Sequence, residues 1–371
     1  MRNMLITIFD GVKDPRKIDQ CTYELGDLMA IALLTYLCGG EDYPDMAMFA
    51  EHRSREFGLL PYTDRNPSRD TFERLFAALS TDYVRQCVVE HGKRIMDVMN
   101  EKQIAIDGKK ECGTAPRQKG PKGDYLLHAW VTENSLLLGQ EKVRDKENEI
   151  PAIPRILDRL VIDGAVVSID AMGTQVDIAE KIVGKNAHYF LAVKENQAGL
   201  LSEIQDVIKY NQPTSTYSVT EKEHARVETR AVSIYPADMM EDKEIFGRWK
   251  NLRTLVCVET ERVHVSEGGR TEVQARYYIS DEDFPLAQYY GELARGHWGI
   301  ENGLHWHLDV TFKEDKCRAR KKNAAQNLSL LRKLALQIAT HTQDKLSVRK
   351  RLRCASWNPK YLITLLKNYG F

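Results

Sequence analysis

The segment from Gln103 to Tyr210 constrains the fold most, because its hydrophobic pattern passes from strand to helix in a definite order. Three short apolar runs predict strands: "IAID" (104–107), "YLLHAWVTE" (125–133) and "LLLGQEKVR" (136–144). After them, "EIPAIPRILDRL", "AVVSIDA", "TQVDIAEKIVG", "HYFLAVKEN" and "AGLLSEIQDVIKY" alternate between helix and strand. The predicted order is β-β-β-α-β-α-β-α. Short connections favour antiparallel pairs and helical crossovers favour parallel ones, so a mixed sheet is expected.

This element order is that of the ribonuclease-H-like fold, so we predict an α/β protein built on such a core. Residues 1–98 predict a small helical domain, in which Ser68 is a plausible N-cap; a helix-turn-helix and a plain helical hairpin both fit. The core spans 99–211 and 281–335, and alternation over 212–280 predicts an all-β insertion between them. Residues 336–371 form a basic C-terminal region, and the Gly- and Lys-rich stretch 108–124 predicts a mobile loop.

The charge of the chain is balanced overall but unevenly distributed. The 371 residues carry 53 basic and 53 acidic side chains. From Lys313 onwards there are fifteen Lys and Arg against three acids, a net charge of +12. This asymmetry favours a surface for a polyanion such as DNA, although a solvated basic tail would give the same count.

Cysteine usage and hydropathy indicate the compartment. The seven cysteines form no CxxC pair, which argues against a disulfide framework or a zinc knuckle. No signal peptide is evident at the start, and the most apolar run, Leu28 to Cys38, is too short to span a membrane. We therefore expect a soluble cytoplasmic protein.

Two aspartates occupy the ends of predicted strands. Asp107 closes "IAID" and Asp170 closes "AVVSID". Carboxylates on neighbouring strands repel each other, and a divalent cation relieves that repulsion. Each Asp could instead simply cap the following turn. In this strand order the pair favours a magnesium-type site, and two such ions support in-line phosphoryl transfer.

The helix predicted from about Pro285 carries a stripe of ionisable residues, "HWGIENGLHWHLDV". His297, Glu301, His305 and Asp309 recur every four residues. A zinc or iron cage is one interpretation and a solvated polar face is another. One helix seldom supplies three ligands to one ion, because residues eight apart lie about 12 Å apart along the axis. We predict that Glu301 alone joins the two aspartates, that His305 and Asp309 move away from the metals, and that Trp298 and Trp306 pack against the sheet.

Several ordered blocks together carry a family resemblance: "IAIDGKK", "VVSIDAMGTQ", "YFLAVKENQ", "HARVETR" and "RGHWGIENGLHWHLDVTFKED". In this order they resemble the DDE transposases of bacterial insertion sequences, of the H-repeat-associated type. The similarity covers essentially the whole chain, including an N-terminal associated domain.

The resemblance implies the roles of individual residues. Asp107, Asp170 and Glu301 would be the DDE triad that holds two Mg²⁺ or Mn²⁺ ions. The partner would be double-stranded DNA, both element ends and target, with a dimer formed at synapsis and a nucleoid-associated location. The residues expected to contact DNA are Lys109, Lys110, Lys194, Gln197, Arg226, Arg295, His297, Lys316, Arg318 and Arg320.

One departure concerns the third acid. Many related transposases place Tyr, Arg and Lys around that Glu at fixed spacing, where this chain has Ala294, His297 and Leu308. Arg295, His297 and Lys316 are candidates to stabilise the phosphate instead. The predicted function is a DNA transposase that cleaves element ends and transfers strands. The alternatives are a nuclease of the same fold that cuts without joining, and a domesticated, non-catalytic DNA-binding protein.

Overall fold

The computed structural model describes residues 2–95, 103–110, 125–132, 136–144, 147–223, 226–264, 270–342 and 344–370. The chain is a mixed α/β protein with thirteen α-helices in these ranges and one nine-stranded sheet. The strands are β1 Gln103–Lys110, β2 Tyr125–Val131, β3 Leu136–Val143, β4 Val166–Ile169, β5 His188–Val193, β6 Ser215–Glu223, β7 Arg226–Pro236, β8 Thr254–His264 and β9 Arg270–Ser280. No helix within the described ranges combines the length and apolar character needed to cross a bilayer.

The helices fall into three groups along the chain. The N-terminal group is α1 Arg2–Thr7, α2 Leu25–Leu37, α3 Tyr43–His52, α4 Arg69–Ala78 and α5 Thr81–Ile95. The middle group is α6 Ala152–Arg159, α7 Val176–Gly184, α8 Ala198–Tyr210 and α9 Lys243–Arg248. The last group is α10 Ala287–Ile300, α11 Ala324–His341, α12 Val348–Trp357 and α13 Pro359–Asn368.

The order of strands in the sheet is β3-β2-β1-β4-β5-β9-β8-β7-β6. Strands β1 to β3 are antiparallel neighbours, whereas β1, β4 and β5 run parallel. This agrees with the predicted mixture of antiparallel and parallel pairs, and helices α6 and α7 lie between the strands that pair in parallel. The turns predicted around Asn134 and Gly268, and most of the predicted loop 108–124, lie outside the described residues.

Strand β1 is longer than its apolar run predicts. It continues through Asp107 to Lys110, and its residues 104–110 pair with β2. Asp107 therefore lies inside the strand rather than at its end, and Lys109 and Lys110 are not in a loop. The charged side chains after Ile106 led to a predicted strand end at Asp107. Backbone pairing with β2 stabilises the strand beyond that point, even where its side chains are charged.

The predicted all-β insertion is not confirmed. Residues 212–280 do form four antiparallel strands, but β9 pairs with β5 and makes them a continuation of the core sheet. The same segment also holds helix α9 and a 3₁₀ turn, Ala237–Met239. Alternating hydrophobicity revealed the strands, but it carries no information on which sheet edge they join.

Side chains on the two faces of the sheet belong to different cores. In β1, Ile104 and Ile106 pack into the core that includes α6, α7 and α8. Ala105, on the opposite face, packs into a core shared by the N-terminal helices, α11 and the C-terminal helices α12 and α13. The N- and C-terminal helices thus cover one face together. The domain boundaries drawn at 98 and 335 stay predictions, and this core crosses both.

Candidate active site

Strand β1 and helix α10 are locked together at the start of the strand. The Gln103 side-chain amide donates to the Leu293 carbonyl and to the Ser168 hydroxyl, both at 2.8 Å. Gly296 permits this contact, because a Cβ added there would lie 2.0 Å from Gln103 Oε1. The close approach fixes where the end of α10 lies over the sheet.

Asp107 and Asp170 occupy equivalent positions on neighbouring parallel strands. The pairing of β1 with β4 ends at Ile106 and Ile169, and each aspartate is the next residue. Neighbouring strands are about 4.8 Å apart, so the two side chains emerge side by side. Asp170 also accepts a hydrogen bond from the Gly173 N–H at 3.3 Å and so caps the turn after β4. Asp170 can therefore cap this turn and also line the cleft, which is the space bounded by Asp107, Asp170 and Glu301.

Four carboxylates interact electrostatically in this cleft. Burial raises the pKa of Asp107 to about 7, and the negative charges of Glu149, Asp170 and Glu301 raise it too, against a lowering by the Gly108 N–H. Glu301 follows directly after α10 and its side chain is exposed. Asp107, Asp170 and Glu301 are far apart in sequence, and the fold brings them to one place.

Glu149 is the acid that sequence reasoning missed. It precedes α6, is 7% exposed, and its carboxylate accepts a hydrogen bond from the Tyr125 hydroxyl. Burial raises its pKa, as does the charge of Asp170. Gly108 makes room for it, since an added Cβ would lie 2.6 Å from Glu149 Oε1. No local pattern singles this residue out; the only sequence signal is an acid just before a helix.

The helix continues beyond Ile300 with a wider turn. Residues Glu301–His305 and His307–Thr311 are π-helical, with Trp306 N–H bonded to Glu301 O and Phe312 N–H bonded to His307 O. π-Helical turns are rare and are found mostly at functional sites. Here they occupy the stretch that begins at the third predicted acid, Glu301.

The predicted departure of His305 from the site is wrong, because its Nδ1 lies 3.5 Å from Asp107 Oδ2. Asp309 lies further along β1, with its Oδ1 2.6 Å from Lys109 Nζ, and its departure from the metals stays a prediction. The segment after α10 runs along β1 and meets first Asp107 and then Lys109, which are two residues apart on one face of the strand.

The structure contradicts the predicted DNA contact at Lys109. Its side chain is buried and its ammonium lies 3.7 Å from both Glu314 and Asp315, in addition to Asp309. Burial lowers the pKa of Lys109, but these carboxylates raise it by more. Because residues 107 and 109 share one strand face, Lys109 turns toward the π-helical segment and not toward solvent.

His297 is held against the sheet. Its Nδ1 lies 3.1 Å from the Ser168 hydroxyl, and burial lowers its pKa to about 4 although the charge of Asp170 acts in the opposite direction. At neutral pH the ring is therefore uncharged. It links α10 to β4 beside Asp170, and its contact with a phosphate stays a prediction.

The remaining predicted DNA contacts are spread over several surfaces. Arg295 pairs with Glu221 at 2.8 Å, and Arg226 lies 3.8 Å from Glu228. Gln197 donates to the Thr174 carbonyl at 2.9 Å and so supports the turn after Asp170. Side chains with large exposure are those of Lys110, Lys194, Lys316 and Arg318, and Arg320 is half-buried.

The two tryptophans differ from each other. Trp298 is 40% exposed and contacts strand β9 through the Arg276 guanidinium, 4.5 Å from its ring centre. Trp306 is 50% exposed, and its ring contacts that of the adjacent His307. Neither ring is buried against the sheet, and the packing predicted for Trp306 stays a prediction.

The donor set suits a hard divalent cation, although it is not gathered into a cage. In the ranges that the structure describes, no group of three or more His, Cys, Asp or Glu is arranged to hold a metal ion. The side chains facing the cleft are nevertheless carboxylates, the ligands that Mg²⁺ and Mn²⁺ prefer, and their mutual repulsion is what such a cation would relieve.

Comparisons with known proteins identify the family of the chain. The family model "Transposase DDE domain" matches residues 99–338, and "DDE_Tnp_1-associated" matches residues 6–91. The chain is 30% identical to "H repeat-associated putative transposase YhhI" of Escherichia coli K12, over 97% of this chain and 96% of that one. It is also 30% identical to "Putative transposase YncI" of Escherichia coli O157:H7, over 98% and 94%.

Among solved structures, the chain is similar to a piggyBac transposase synaptic complex with hairpin DNA, at a TM-score of 0.46 and 11% identity, covering 99% of this chain and 80% of that one. The family matches and the relatives decide the assignment. The chain belongs to the family of transposases with a DDE domain and is a DNA transposase.

Proposed function

We propose that Asp107, Asp170 and Glu301 form the active site of an RNase-H-like core that carries out metal-dependent DNA cleavage and strand transfer. The observation that carries the proposal is geometric. Asp107 and Asp170 each follow the last paired residue of neighbouring parallel strands, and Glu301, 194 positions after Asp107, comes from the end of α10 close enough for its charge to act on the Asp107 carboxyl. Carboxylates that lie close together and partly buried repel each other and lose hydration, and bound cationic cofactors would offset both effects.

Two Mg²⁺ or Mn²⁺ ions are proposed as cofactors held by these three side chains. Bound there, they would polarise the scissile phosphate and favour deprotonation of the attacking oxygen. The chain itself supplies the geometry. The cap to Gly173 orients Asp170, the Gln103 and Gly296 contacts fix α10, and Glu301 reaches the cleft from the first π-helical turn.

The proposed reaction has two steps. Water attacks the phosphorus at the element end, the P–O bond to the 3′ oxygen breaks, and that oxygen leaves as a 3′-OH once protonated. The freed 3′-OH then attacks a phosphorus in the target, loses its proton, and displaces the target 3′ oxygen. Neither step needs an oxidant or a reductant, which matches a cleft lined by carboxylates and histidines.

Double-stranded DNA, both the element ends and the target, is the proposed partner. The exposed cations Lys194, Lys316 and Arg318 are proposed to contact phosphates, with Arg320 beside them. Phosphate contacts supply affinity without sequence preference. A dimer at synapsis and a location on the bacterial nucleoid in the cytoplasm belong to the same proposal.

The test uses the purified chain and a DNA fragment that carries the flanks of its own gene. With Mg²⁺ or Mn²⁺ we expect nicks at inverted repeats, and joining of pre-cleaved ends to a supercoiled target. Asp107→Asn, Asp170→Asn and Glu301→Gln should each abolish both reactions and leave DNA binding within about twofold, since phosphate contacts come mainly from basic and neutral polar groups.

Other outcomes would replace the proposal. Cutting without joining would identify a nuclease, and binding without any metal-dependent cutting would identify a non-catalytic DNA-binding protein. Normal cutting by Glu301→Gln together with inactivity of Asp309→Asn would show that the third acid is Asp309.

A further inference from the structure

We propose that His305 is a positioning residue that orients the Asp107 carboxylate, and that His128 fixes the tautomer in which it does so. The proposal rests on the proposed function of Asp107 as a metal-binding carboxylate. It gives a task to two buried histidines that neither the family assignment nor the proposed triad uses.

The three side chains form a line across two strands and one helix. Asp107 on β1 is directly opposite His128 on β2 in the antiparallel register. His305 reaches both from the π-helical segment: its Nδ1 is 3.5 Å from Asp107 Oδ2, and its Nε2 is 3.3 Å from His128 Nδ1. His305 is 8% exposed and His128 is 1% exposed, so water does not readily replace either contact.

The chemistry of the carboxylate decides which ring nitrogens carry protons. An ionised carboxylate only accepts, so the nitrogen that faces Asp107 at 3.5 Å is favourable only as Nδ1–H. A neutral imidazole has one N–H, so Nε2 of His305 is then a bare acceptor. Its hydrogen-bond partner is Nδ1 of His128, which must therefore donate. In the resulting arrangement His128 Nδ1–H donates to His305 Nε2, and His305 Nδ1–H points toward Asp107.

Both rings are buried, and burial disfavours the charged imidazolium form of each. Aromatic contact adds to the alignment, with the two ring centres 5.4 Å apart.

The function of such a line is to hold a ligating carboxylate in one orientation. Hydrogen-bonding partners behind metal ligands typically change metal affinity or activity by about 10–100-fold when removed. Asp107 has an unusual need for this support, because the other carboxylates of the cleft repel it. A single N–H donor from a rigid helix segment selects one rotamer of Asp107 without adding charge.

The first experiment reads the tautomer in the metal-free protein. Selective ¹³C and ¹⁵N labelling of histidine distinguishes Nδ1–H from Nε2–H rings by NMR, and His305→Asn identifies the His305 signals. We expect His305 to be a neutral Nδ1–H tautomer about two pH units above the pKa of Asp107, where that carboxyl is ionised. An Nε2–H tautomer would overturn the proposal, because a lone pair would then face Asp107.

The second experiment uses side chains that imitate one ring nitrogen each. The amide nitrogen of Asn lies near the place of Nδ1, and that of Gln near the place of Nε2. We expect His305→Ala and His305→Gln to lose about 10–100-fold in cleavage and in Mn²⁺ affinity measured by calorimetry, and His305→Asn to stay within about tenfold of the parent. His307→Asn is the matched control, since the His307 ring hydrogen-bonds Thr311 and not Asp107, so the variant should behave like the parent.

Several results would count against the inference. Equal losses in His305→Asn and His305→Gln would show that packing, not a donor at Nδ1, is what matters. Unchanged Mn²⁺ affinity in His305→Ala would also overturn it. Stoichiometric, tightly bound zinc that is lost in His305→Ala would make the histidines ligands instead. If the parent neither binds Mn²⁺ nor cleaves, the proposed function fails, and the tautomer still decides the inference.

Discussion

Two groups of basic side chains in the C-terminal third of the chain look alike in sequence and differ completely in structure. Lys316 and Arg318 are exposed, whereas Arg332 and Lys333, on α11, are 1% and 0% exposed. All four contribute equally to the net charge of +12 counted from Lys313. The net charge of a segment therefore indicates a DNA-binding surface only when the buried cations are left out of the count.

The buried group has a structural task. The Arg332 guanidinium lies 3.6 Å from Glu314 and 5.0 Å from the ring centre of Tyr36. Lys333 donates to Ser329 at 2.8 Å and to Gln140 on β3. These cations therefore tie α11 to the sheet and to the segment after the π-helical turns. Burial raises the pKa of Glu314, but Lys333, Arg332 and Lys109 lower it by more, so the carboxyl stays charged.

The largest expected effect is a loss of cleavage from a change in the cleft, away from both basic groups. Glu301→Gln should reduce cleavage by at least about 10³-fold, or about 4 kcal/mol of barrier, because a metal-binding carboxylate is lost. Its free energy of unfolding should stay within about 0.5 kcal/mol, because the side chain is exposed. Single-turnover cleavage with Mg²⁺ and urea unfolding measure the two quantities. A variant that cuts at the parental rate would remove Glu301 from the site.

The next effect tests the buried group directly. Lys333→Met should lower the free energy of unfolding by about 3–5 kcal/mol, because it leaves the buried Gln140 oxygen without its donor and removes one of the three cations that stabilise the buried Glu314 carboxylate. Lys316→Met, the exposed control, should change it by no more than about 0.5 kcal/mol. Urea denaturation of both variants checks this. Equal free energies of unfolding in the two variants would show that the buried cation contributes no more to stability than the exposed one.

A smaller effect tests the exposed group. The double change Arg318→Glu and Arg320→Glu should weaken binding to all DNA sequences alike, and should reduce the slope of log affinity against log salt by about two. Fluorescence anisotropy at several salt concentrations measures the slope, with Arg349→Glu and Lys350→Glu on α12 as a charge-matched comparison. An unchanged slope would mean that these two positions are a solvated face.

The smallest expected effect concerns the acid that the sequence did not reveal. Glu149→Gln keeps the Tyr125 hydrogen bond and removes one negative charge near Asp107, so Mn²⁺ affinity should fall by about tenfold. Glu147→Gln is the control, because Glu147 pairs with Arg155 at 3.2 Å and does not act on Asp107. Calorimetry measures both, and a loss as large in Glu147→Gln would show that only the general field matters.

Local pattern was sufficient for much of the fold. Hydrophobic periodicity located the strands of the core and the helices between them, because a period of two or 3.6 residues can be detected within a short stretch of sequence. It also placed Asp170 at the end of β4, as observed. It failed at Asp107 and Lys109, which continue a strand that is charged there, and at the edge joined by β9, which depends on pairing between distant segments.

The stripe of ionisable residues that begins in α10 shows the same division. Spacing alone showed that His297, Glu301, His305 and Asp309 share one helix face. It could not show that this face runs parallel to β1, so that His305 reaches Asp107 and Asp309 reaches Lys109. Nor could it show the π-helical turns, because no residue pattern in the segment distinguishes them from an α-helix.

By itself, then, the sequence determined the order of the elements, the family, and the acids that the family's blocks mark. These are encoded in short windows and in the spacing of motifs. Only the tertiary structure decided which cations are buried, that Glu149 joins the cleft, and that His128 lies opposite Asp107 with His305 beside both. The physical reason is that these contacts depend on strand register and on the direction of a helix across a sheet. Both are set by packing between residues far apart in the chain.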